Sequence, residues 1–137
     1  MSLVLDCSMA LSWFFEDERT PAAEAVLAQV AEQGAVVPGI WRLEVGNALQ
    51  AAVRRRRVDA AFRDASISDL ALLDIVIDQE TDGHAWAATL QLSDRFRLTT
   101  YDAAYLELAR RRDLPLASLD RELRTAARAV GTVLLGE

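Results

Sequence analysis

The sequence contains no lysine, one cysteine and one histidine, and each of these shortages excludes a class of chemistry. Because all fifteen basic residues are arginines, a P-loop nucleotide enzyme, which needs a Gly-Lys-Ser/Thr motif, is excluded. The single Cys7 permits no intramolecular disulfide, CxxC redox pair or cysteine zinc cluster, and packing is its expected role. The single His84 has no spaced partner for a histidine metal site or triad, which favours a surface role.

Glycine and proline are also scarce, with six and three residues, and no Ser/Gly-rich linker or internal repeat interrupts the chain. A length of 137 residues with 52% apolar residues predicts a single domain over residues 1–137. The net charge of −6 provides no overall positive field, so a polyanionic partner must be held locally. The apolar stretch before Asp6 is too short for a secretion signal or membrane span, and we expect a cytoplasmic protein.

Short apolar runs alternate with helical segments along the chain, which predicts an α/β fold. Because buried parallel strands are apolar throughout and right-handed crossovers place helices on both faces, we expect a mainly parallel sheet covered on both sides. In such sheets, sites form at the carboxyl ends of the strands. The predicted strands span residues 3–5, 35–38, 73–77, 114–118 and, at an edge, 132–135; the predicted helices span about residues 8–15, 21–32, 40–55, 59–70, 81–95, 101–112 and 121–130.

Three aspartates occupy the predicted carboxyl edge of this sheet. Asp6 ends the first strand, Asp120 follows the fourth, and Asp102 lies in the first turn of the helix predicted to begin at Tyr101. Each has an alternative role as a helix cap or first-turn residue, because carboxylates accept hydrogen bonds from the free N–H groups there. Their shared location nevertheless indicates a common site.

Glu44 is the fourth candidate, because helical spacing places it on the apolar stripe of its predicted helix. A buried, ionised carboxylate must meet an arginine, share a proton or bind a cation. Arg42 and Arg54 are not on that stripe and no lysine exists, so a cation is favoured over a structural ion pair.

Three polar residues lie beside these acids. Asn47 is three residues after Glu44 on the same side of the helix, where its amide can orient a carboxylate. Ser8 and Ser118 place hydroxyls two residues from Asp6 and Asp120, respectively. Ser8 is also predicted to cap the first helix, so capping or strand ending is an alternative for both serines.

Four converging carboxylates define a hard-oxygen pocket suited to one or two Mg²⁺ or Mn²⁺ ions. Such ions activate water and stabilise in-line displacement at a phosphodiester, which indicates nucleic-acid hydrolysis. Two Mg²⁺ ions would change the formal charge from −6 to −2 and supply the missing attraction locally. The arginine clusters at residues 54–57 and 110–112 are either phosphate-binding groups or solvated helix ends.

The chain resembles the PIN-domain nucleases, and specifically the VapC-type toxin ribonucleases of VapBC toxin–antitoxin pairs. The resemblance covers essentially the whole chain, and four segments carry it in order: residues 5–8 (LDCS), 43–49 (LEVGNAL), 101–105 (YDAAY) and 117–120 (ASLD). It implies that Asp6, Glu44, Asp102 and Asp120 form an acidic metal-binding quartet supported by Ser8, Asn47 and Ser118, where Ser118 replaces a common threonine.

The resemblance also implies a three-layer α/β/α sandwich, a homodimer, Mg²⁺-dependent endoribonuclease activity and inhibition by a small VapB-type antitoxin that covers or enters the active site. A catalytically silent PIN-fold module that binds RNA or a peptide remains the alternative, and direct metal binding discriminates between the two. The bulky residues Trp13, Phe14 and Phe15 belong either to the core or partly to a partner interface. An antitoxin for this pocket is expected to present both a cation and an apolar anchor.

Overall fold

The computed structural model describes residues 2–137, in which the alternating elements form one sheet of five parallel strands. The first residue of the predicted domain lies outside the described residues. The predicted α/β fold is confirmed, and the sheet is parallel throughout. Its strands are β1 (Val4–Leu5), β2 (Ala35–Val37), β3 (Ile75–Ile77), β4 (Leu116–Ala117) and β5 (Leu134–Leu135).

Helices cover the sheet in the arrangement of an α/β/α sandwich. Four of them begin at a Thr or Asp whose side chain accepts a hydrogen bond from the N–H three residues later, namely Thr20, Asp59, Thr99 and Asp120. Within the described residues the helices are α1 (Cys7–Ser12), α2 (Pro21–Gln33), α3 (Trp41–Arg54), α4 (Ala60–Ala71), α5 (Thr81–His84), α6 (Ala88–Phe96), α7 (Thr100–Arg112) and α8 (Arg121–Ala129).

The strand order β3-β2-β1-β4-β5 places β1 at the centre of the sheet. Val4 of β1 is paired with Val36 on one side and Leu116 on the other, and its side chain is fully buried. Strands β2 and β3 follow in order on one side of β1, whereas β4 and β5 lie on the other side. This reversal creates a switch point between β1 and β4, where the crevice beyond the strand ends is the usual ligand site of such sheets.

One predicted helix is wrong in extent, because residues 81–95 form two helices instead of one. α5 ends at His84, a turn follows, and α6 begins at Ala88. Gly83 weakens a continuous helix here, and the Thr81 hydroxyl ties the start of α5 to Asp78 at 2.9 Å. After the turn, α6 packs along α7 and buries Leu92.

Some arginines of the clusters at residues 54–57 and 110–112 form ion pairs. Arg57 contacts Asp17 at 2.9 Å and lies over the ring of Phe15, with its guanidinium carbon 4.2 Å from the ring centroid. Arg111 and Arg112 both bind the buried Asp78. These three arginines therefore have structural partners, while Arg110 and residues 54–56 remain exposed.

The aromatic residues after β1 belong mainly to the core. Trp13 and Phe15 are buried, and the Trp13 indole donates a hydrogen bond to the carbonyl of Ala23 at 2.9 Å. Cys7 is also buried, as its expected packing role requires. Within residues 2–137, no helix has the length and apolarity needed to cross a membrane.

Candidate metal centre

Asp6 directly follows β1 and therefore lies at the switch point of the sheet. Its carboxylate is almost fully buried, with 4% exposure. Oδ2 accepts hydrogen bonds from the hydroxyls of Ser8 and Ser118, each at 2.7 Å. Burial raises the pKa of Asp6, and although the two hydroxyls oppose this effect, the pKa remains above its usual value.

Ser8 does not cap the first helix, so that prediction is wrong. Helix α1 begins one residue earlier, at Cys7, and Asp6 occupies the N-cap position. The Ser8 hydroxyl instead accepts a hydrogen bond from the N–H of Leu119 at 3.0 Å while it donates to Asp6. Ser118 accepts similarly from the N–H of Asp120 at 3.0 Å. Together, the two serines connect the ends of β1 and β4.

Glu44 lies on α3 beside the buried face of that helix, which consists of Trp41, Val45, Leu49 and Ala52. Its predicted place on the apolar stripe is thus corrected: the side chain is half-buried at the edge of that face. Its Oε1 accepts a hydrogen bond of 2.6 Å from the hydroxyl of Tyr105, which is a neutral partner that the sequence analysis did not anticipate. Burial first, and then the charges of Asp6 and Asp102, raise the pKa of Glu44.

Asp102 lies in the first turn of α7 and is half-buried. The helix begins at Thr100, since Thr99 is its N-cap and accepts from the N–H of Asp102 at 3.1 Å. Burial, followed by the negative charges of Asp6 and Asp120, raises the pKa of Asp102 to about 6. A nearby positive charge would strongly stabilise the ionised form of a carboxyl group with that pKa.

Asp120 combines two roles that the sequence analysis weighed as alternatives. Its Oδ1 accepts from the N–H of Leu123 at 2.8 Å and so caps α8. Its charge also raises the pKa of Asp6 and Asp102, which places it within electrostatic reach of both. Capping uses one oxygen, and the other receives no hydrogen bond from residues 2–137.

The fold thus brings the four predicted acids into one electrostatically coupled cluster, and no arginine within residues 2–137 forms an ion pair with any of them. The negative charges of the cluster also act on the thiol of Cys7. Burial, and then the charges of Asp6, Glu44 and Asp102, raise the pKa of this thiol and keep it protonated. The cluster therefore carries negative charge without a cationic partner.

The chemistry of this donor set fits a hard divalent cation. All its donors are carboxylate oxygens, and repulsion between them adds to the effect of burial in raising the pKa values of Asp6, Glu44 and Asp102. Over residues 2–137, however, no three such groups approach closely enough to form a ready-made ligand set. The fit therefore rests on donor type and uncompensated charge rather than on ligand geometry.

Two residues of this region were missed by sequence reasoning. Tyr105 is one turn after Asp102 on the same helix, a spacing that could have predicted its proximity to the acids. Glu122, exposed in the first turn of α8, adds a further negative charge that raises the pKa of Asp102. Asn47, in contrast, is exposed and forms no hydrogen bond with any residue from 2 to 137, so Tyr105 rather than Asn47 orients Glu44.

A cleft of about 250 Å³ opens beside Glu44, and Ile40, Leu43, Asn47 and Tyr101 complete its lining. A neighbouring depression of about 340 Å³ shares part of this lining and extends to Thr89 of α6. Of the four acids, Glu44 lines this cleft, where it lies beside the apolar side chains of Ile40 and Leu43.

Residues 3–129 match the family model described as PIN domain. Among solved structures, PAE2754 from Pyrobaculum aerophilum is 22% identical with a TM-score of 0.71, covering 98% of this chain and 83% of that chain. VapC20 from Mycobacterium tuberculosis, a sarcin–ricin loop cleaving toxin, is 15% identical with a TM-score of 0.65, covering 91% and 95%. FitAcB from Neisseria gonorrhoeae is 13% identical with a TM-score of 0.66, covering 96% and 95%. No curated protein sequence shows a significant match.

Proposed function

This chain belongs to the PIN domain family, and from that premise we propose that it is a Mg²⁺-dependent endoribonuclease that acts as the toxin of a type II toxin–antitoxin pair. The observation that carries the proposal is the coupled cluster of Asp6, Glu44, Asp102 and Asp120, which has no arginine partner among residues 2–137. The similarity in fold to VapC20, itself a toxin that cleaves the sarcin–ricin loop, supports RNA as the substrate class.

In this proposal Asp6, Glu44 and Asp102 hold the principal ion, and Asp120 binds it directly or through water. When bound, Mg²⁺ or a substituting Mn²⁺ lowers the pKa of water and stabilises the charge that develops at the phosphodiester. The side chains contribute fixed negative charge, and Ser8 and Ser118 orient the carboxylate of Asp6. Because the cluster contains neither histidine nor lysine, we expect attack by water and products with 5′-phosphate and 3′-hydroxyl ends. Products ending in 2′,3′-cyclic phosphate would contradict this mechanism.

The surface around the cleft supports two protein partners. Leu43 lines the cleft and is 71% exposed, while Trp86, which follows the depression-lining Ala85 in the sequence, is 93% exposed. Exposed apolar residues of this size support a second copy of the chain, and we propose a cytoplasmic homodimer. The acid cluster beside apolar Ile40 and Leu43 supports an antitoxin that presents a basic side chain together with an apolar anchor. A bound antitoxin without a basic residue at the cleft would contradict this arrangement.

The activity is tested by incubating purified, antitoxin-free protein with total cellular RNA in Mg²⁺ or EDTA, alongside Asp102→Asn, and mapping new 5′ ends by sequencing. We expect discrete ends that require Mg²⁺ and that are absent with the variant. Ends that persist in EDTA would overturn the metal-dependent mechanism, and an absence of ends from a folded protein that binds Mn²⁺ would contradict RNA as the substrate.

One observation favours a second candidate, a PIN-fold module that binds RNA or a peptide without cleaving it. Among residues 2–137 no three acidic groups form a ready-made ligand set. A binding module requires no ion in this cluster, so the two candidates predict opposite results in a Mn²⁺ binding titration. Specific binding of Mn²⁺ that Asp102→Asn abolishes would exclude the silent module.

A further inference from the structure

We propose that Tyr105 is the positioning residue of the metal centre: its phenolic hydroxyl binds one carboxylate oxygen of Glu44 and leaves the other for a cation. The hydroxyl donates to Glu44 Oε1 at 2.6 Å, and the Tyr105 side chain is fully buried. The inference rests on the metal centre of the proposed function and assigns to it a residue outside the acidic quartet and its supporting serines.

The packing of Tyr105 makes its hydroxyl a fixed point. Helix α7 packs against both β1 and β4, and the ring of Tyr105 lies in the core that these elements share. A tyrosine ring with only two side-chain torsions, enclosed on all sides, holds its oxygen in one place. Since Asp102 lies one turn earlier on the same helix, α7 supplies both a carboxylate and the hydroxyl that positions another one.

Glu44 needs such a fixed point more than the other acids do. It lies half-buried on α3 between the exposed residues Leu43 and Asn47, and a glutamate there has three torsions to order. Asp6 directly follows β1, Asp120 is the N-cap of α8 and Asp102 is in the first turn of α7, so their shorter side chains are placed mainly by the backbone. The Tyr105 hydroxyl joins two segments that are 61 residues apart in sequence and restricts Glu44 to the cluster.

A hydroxyl orients a carboxylate without cancelling its charge. Tyr105 binds Oε1 of Glu44, while Ser8 and Ser118 both bind Oδ2 of Asp6. Among residues 2–137, no side chain donates a hydrogen bond to Glu44 Oε2 or to Asp6 Oδ1. Asp6 also accepts a hydrogen bond from the backbone N–H of Cys7, so only neutral groups among residues 2–137 bind these two carboxylates and no arginine competes with a cation for them.

The test is a double-variant cycle read by Mn²⁺ binding, measured by electron paramagnetic resonance on the full chain without RNA. The variants are Tyr105→Phe, Glu44→Gln and their combination, and the control is Ser66→Ala, which removes another buried hydroxyl, one that donates to the Phe62 carbonyl within α4. Loss of a group that orients a metal ligand typically weakens metal binding by roughly 10- to 100-fold. We expect Tyr105→Phe to show a weakening in that range, Ser66→Ala to match wild type, and the double variant to match Glu44→Gln. Cleavage by Tyr105→Phe should recover at saturating Mg²⁺.

A second measurement leaves Tyr105 in place. The chain has two tyrosines, so 3-fluorotyrosine labelling produces two ¹⁹F resonances that Tyr101→Phe assigns. We expect Mg²⁺ to shift the resonance of residue 105 in the wild-type protein and to leave it unshifted in Glu44→Gln, whereas a purely structural hydroxyl would not respond.

The outcomes separate this inference from the proposed function. Wild-type Mn²⁺ affinity in Tyr105→Phe, or an equal loss from Tyr105→Phe in the Glu44→Gln background, would overturn the positioning role while the metal centre stands. A wild-type protein that binds no Mn²⁺ would overturn the metal centre itself, and the positioning role with it.

Discussion

Two carboxylate clusters at the carboxyl edge of the same sheet differ in the residues that bind them. Asp6 follows β1 and Asp78 follows β3, and both are buried, with 4% and 2% exposure. Asp78 is held by Arg111 at 2.6 Å and by Arg112 at 3.1 Å. Asp6 is held by two serine hydroxyls and faces other acids instead.

The pKa values show the consequence of these different partners. Burial acts to raise the pKa of Asp78, but the hydrogen bonds and charges of Arg111, Thr81 and Arg112 lower it to about 2. Burial raises the pKa of Asp6, and hydroxyl donors compensate only in part. A buried carboxylate at a strand end is therefore a structural element where arginine neutralises it. Where neutral donors hold it, as two hydroxyls and the backbone N–H of Cys7 hold Asp6, no cation of the protein neutralises its charge.

The largest effect is expected from changing the uncompensated cluster. Asp102→Asn removes a ligand charge, and because such an ion contributes several kcal/mol to the transition state, RNA cleavage should fall by about a thousandfold or more. The same change relieves repulsion, so the metal-free protein should not lose stability. Cleavage assays measure the first effect, and thermal melts in EDTA measure the second. Asp113→Asn, at the far end of α7, is the control, and a melt many degrees lower for Asp102→Asn would refute the comparison.

For the carboxylates that arginine neutralises, we expect a loss of stability with no change in metal binding. Arg111→Met leaves Asp78 and Glu107, both buried, without their shared arginine, and breaking such a pair costs about 3 kcal/mol of unfolding free energy. Chemical denaturation at pH 7 measures this loss, with the exposed neighbour Arg110→Met as control. Mn²⁺ affinity of the folded variant should remain unchanged, because Arg111 does not contact the metal centre. Equal stability of the two variants would show that the paired cluster contributes little.

The pH dependence of stability should also distinguish the two clusters. The pKa of Asp102 is about 6 in the folded protein and about 3.9 in the unfolded chain, so between these pH values the folded state binds more protons. Unfolding free energy therefore falls as the pH rises from about 4 to 7, by roughly 1 to 2 kcal/mol for this half-buried group. For Asp78, whose pKa is lowered to about 2, the stabilisation is complete above pH 4 and is lost as the pH falls toward 2.

Urea denaturation in EDTA at pH 4.5, 5.5 and 7 measures the first of these effects. The difference between wild type and Asp102→Asn isolates the contribution of Asp102 from that of Asp78, which both proteins share. We expect the variant to gain stability relative to wild type as the pH rises. A difference that does not change with pH would contradict the repulsion in the cluster.

The smallest effect is expected from the hydroxyls that hold Asp6. Ser118→Ala removes the donor to Asp6 and the acceptor for the Asp120 N–H, while Ser8 still binds the same oxygen. We expect a loss of about 1 kcal/mol in unfolding free energy, together with weaker Mn²⁺ binding. Ser68→Ala on the exposed side of α4 is the control for the denaturation experiment. No loss in Ser118→Ala would show that one serine is sufficient.

Much of the fold was predictable because local signals agreed with it. Apolar runs such as residues 3–5 indicated buried strands, and Asp59 and Asp120 indicated helix starts that the structure confirms. The break between α5 and α6 was not predictable from periodicity, since helical spacing continues through residues 85–87. It depends on the contact of Thr81 with Asp78 and on the packing of α6 against α7.

The candidate site was predictable in its residues and not in its contacts. The positions of Asp6, Asp102 and Asp120 relative to strands and helices were sufficient to suggest a shared edge. The sequence contained no local sign that Asp78, a further acid at a strand end, is neutralised, because its partners Arg111 and Arg112 are 33 and 34 residues away. Nor did it show that the partner of Glu44 is a tyrosine on another helix.

The sequence by itself determined the alternation of elements, the absence of lysine chemistry and the set of acids at the strand ends, because these properties depend on residue type and short-range spacing. Only the tertiary structure decided which carboxylates are neutralised by arginine and which are held by hydroxyls. That decision depends on long-range packing, which brings α7 with Tyr105 to Glu44 and Arg111 to Asp78. Distance in space, rather than in sequence, sets the electrostatic energy of each buried charge.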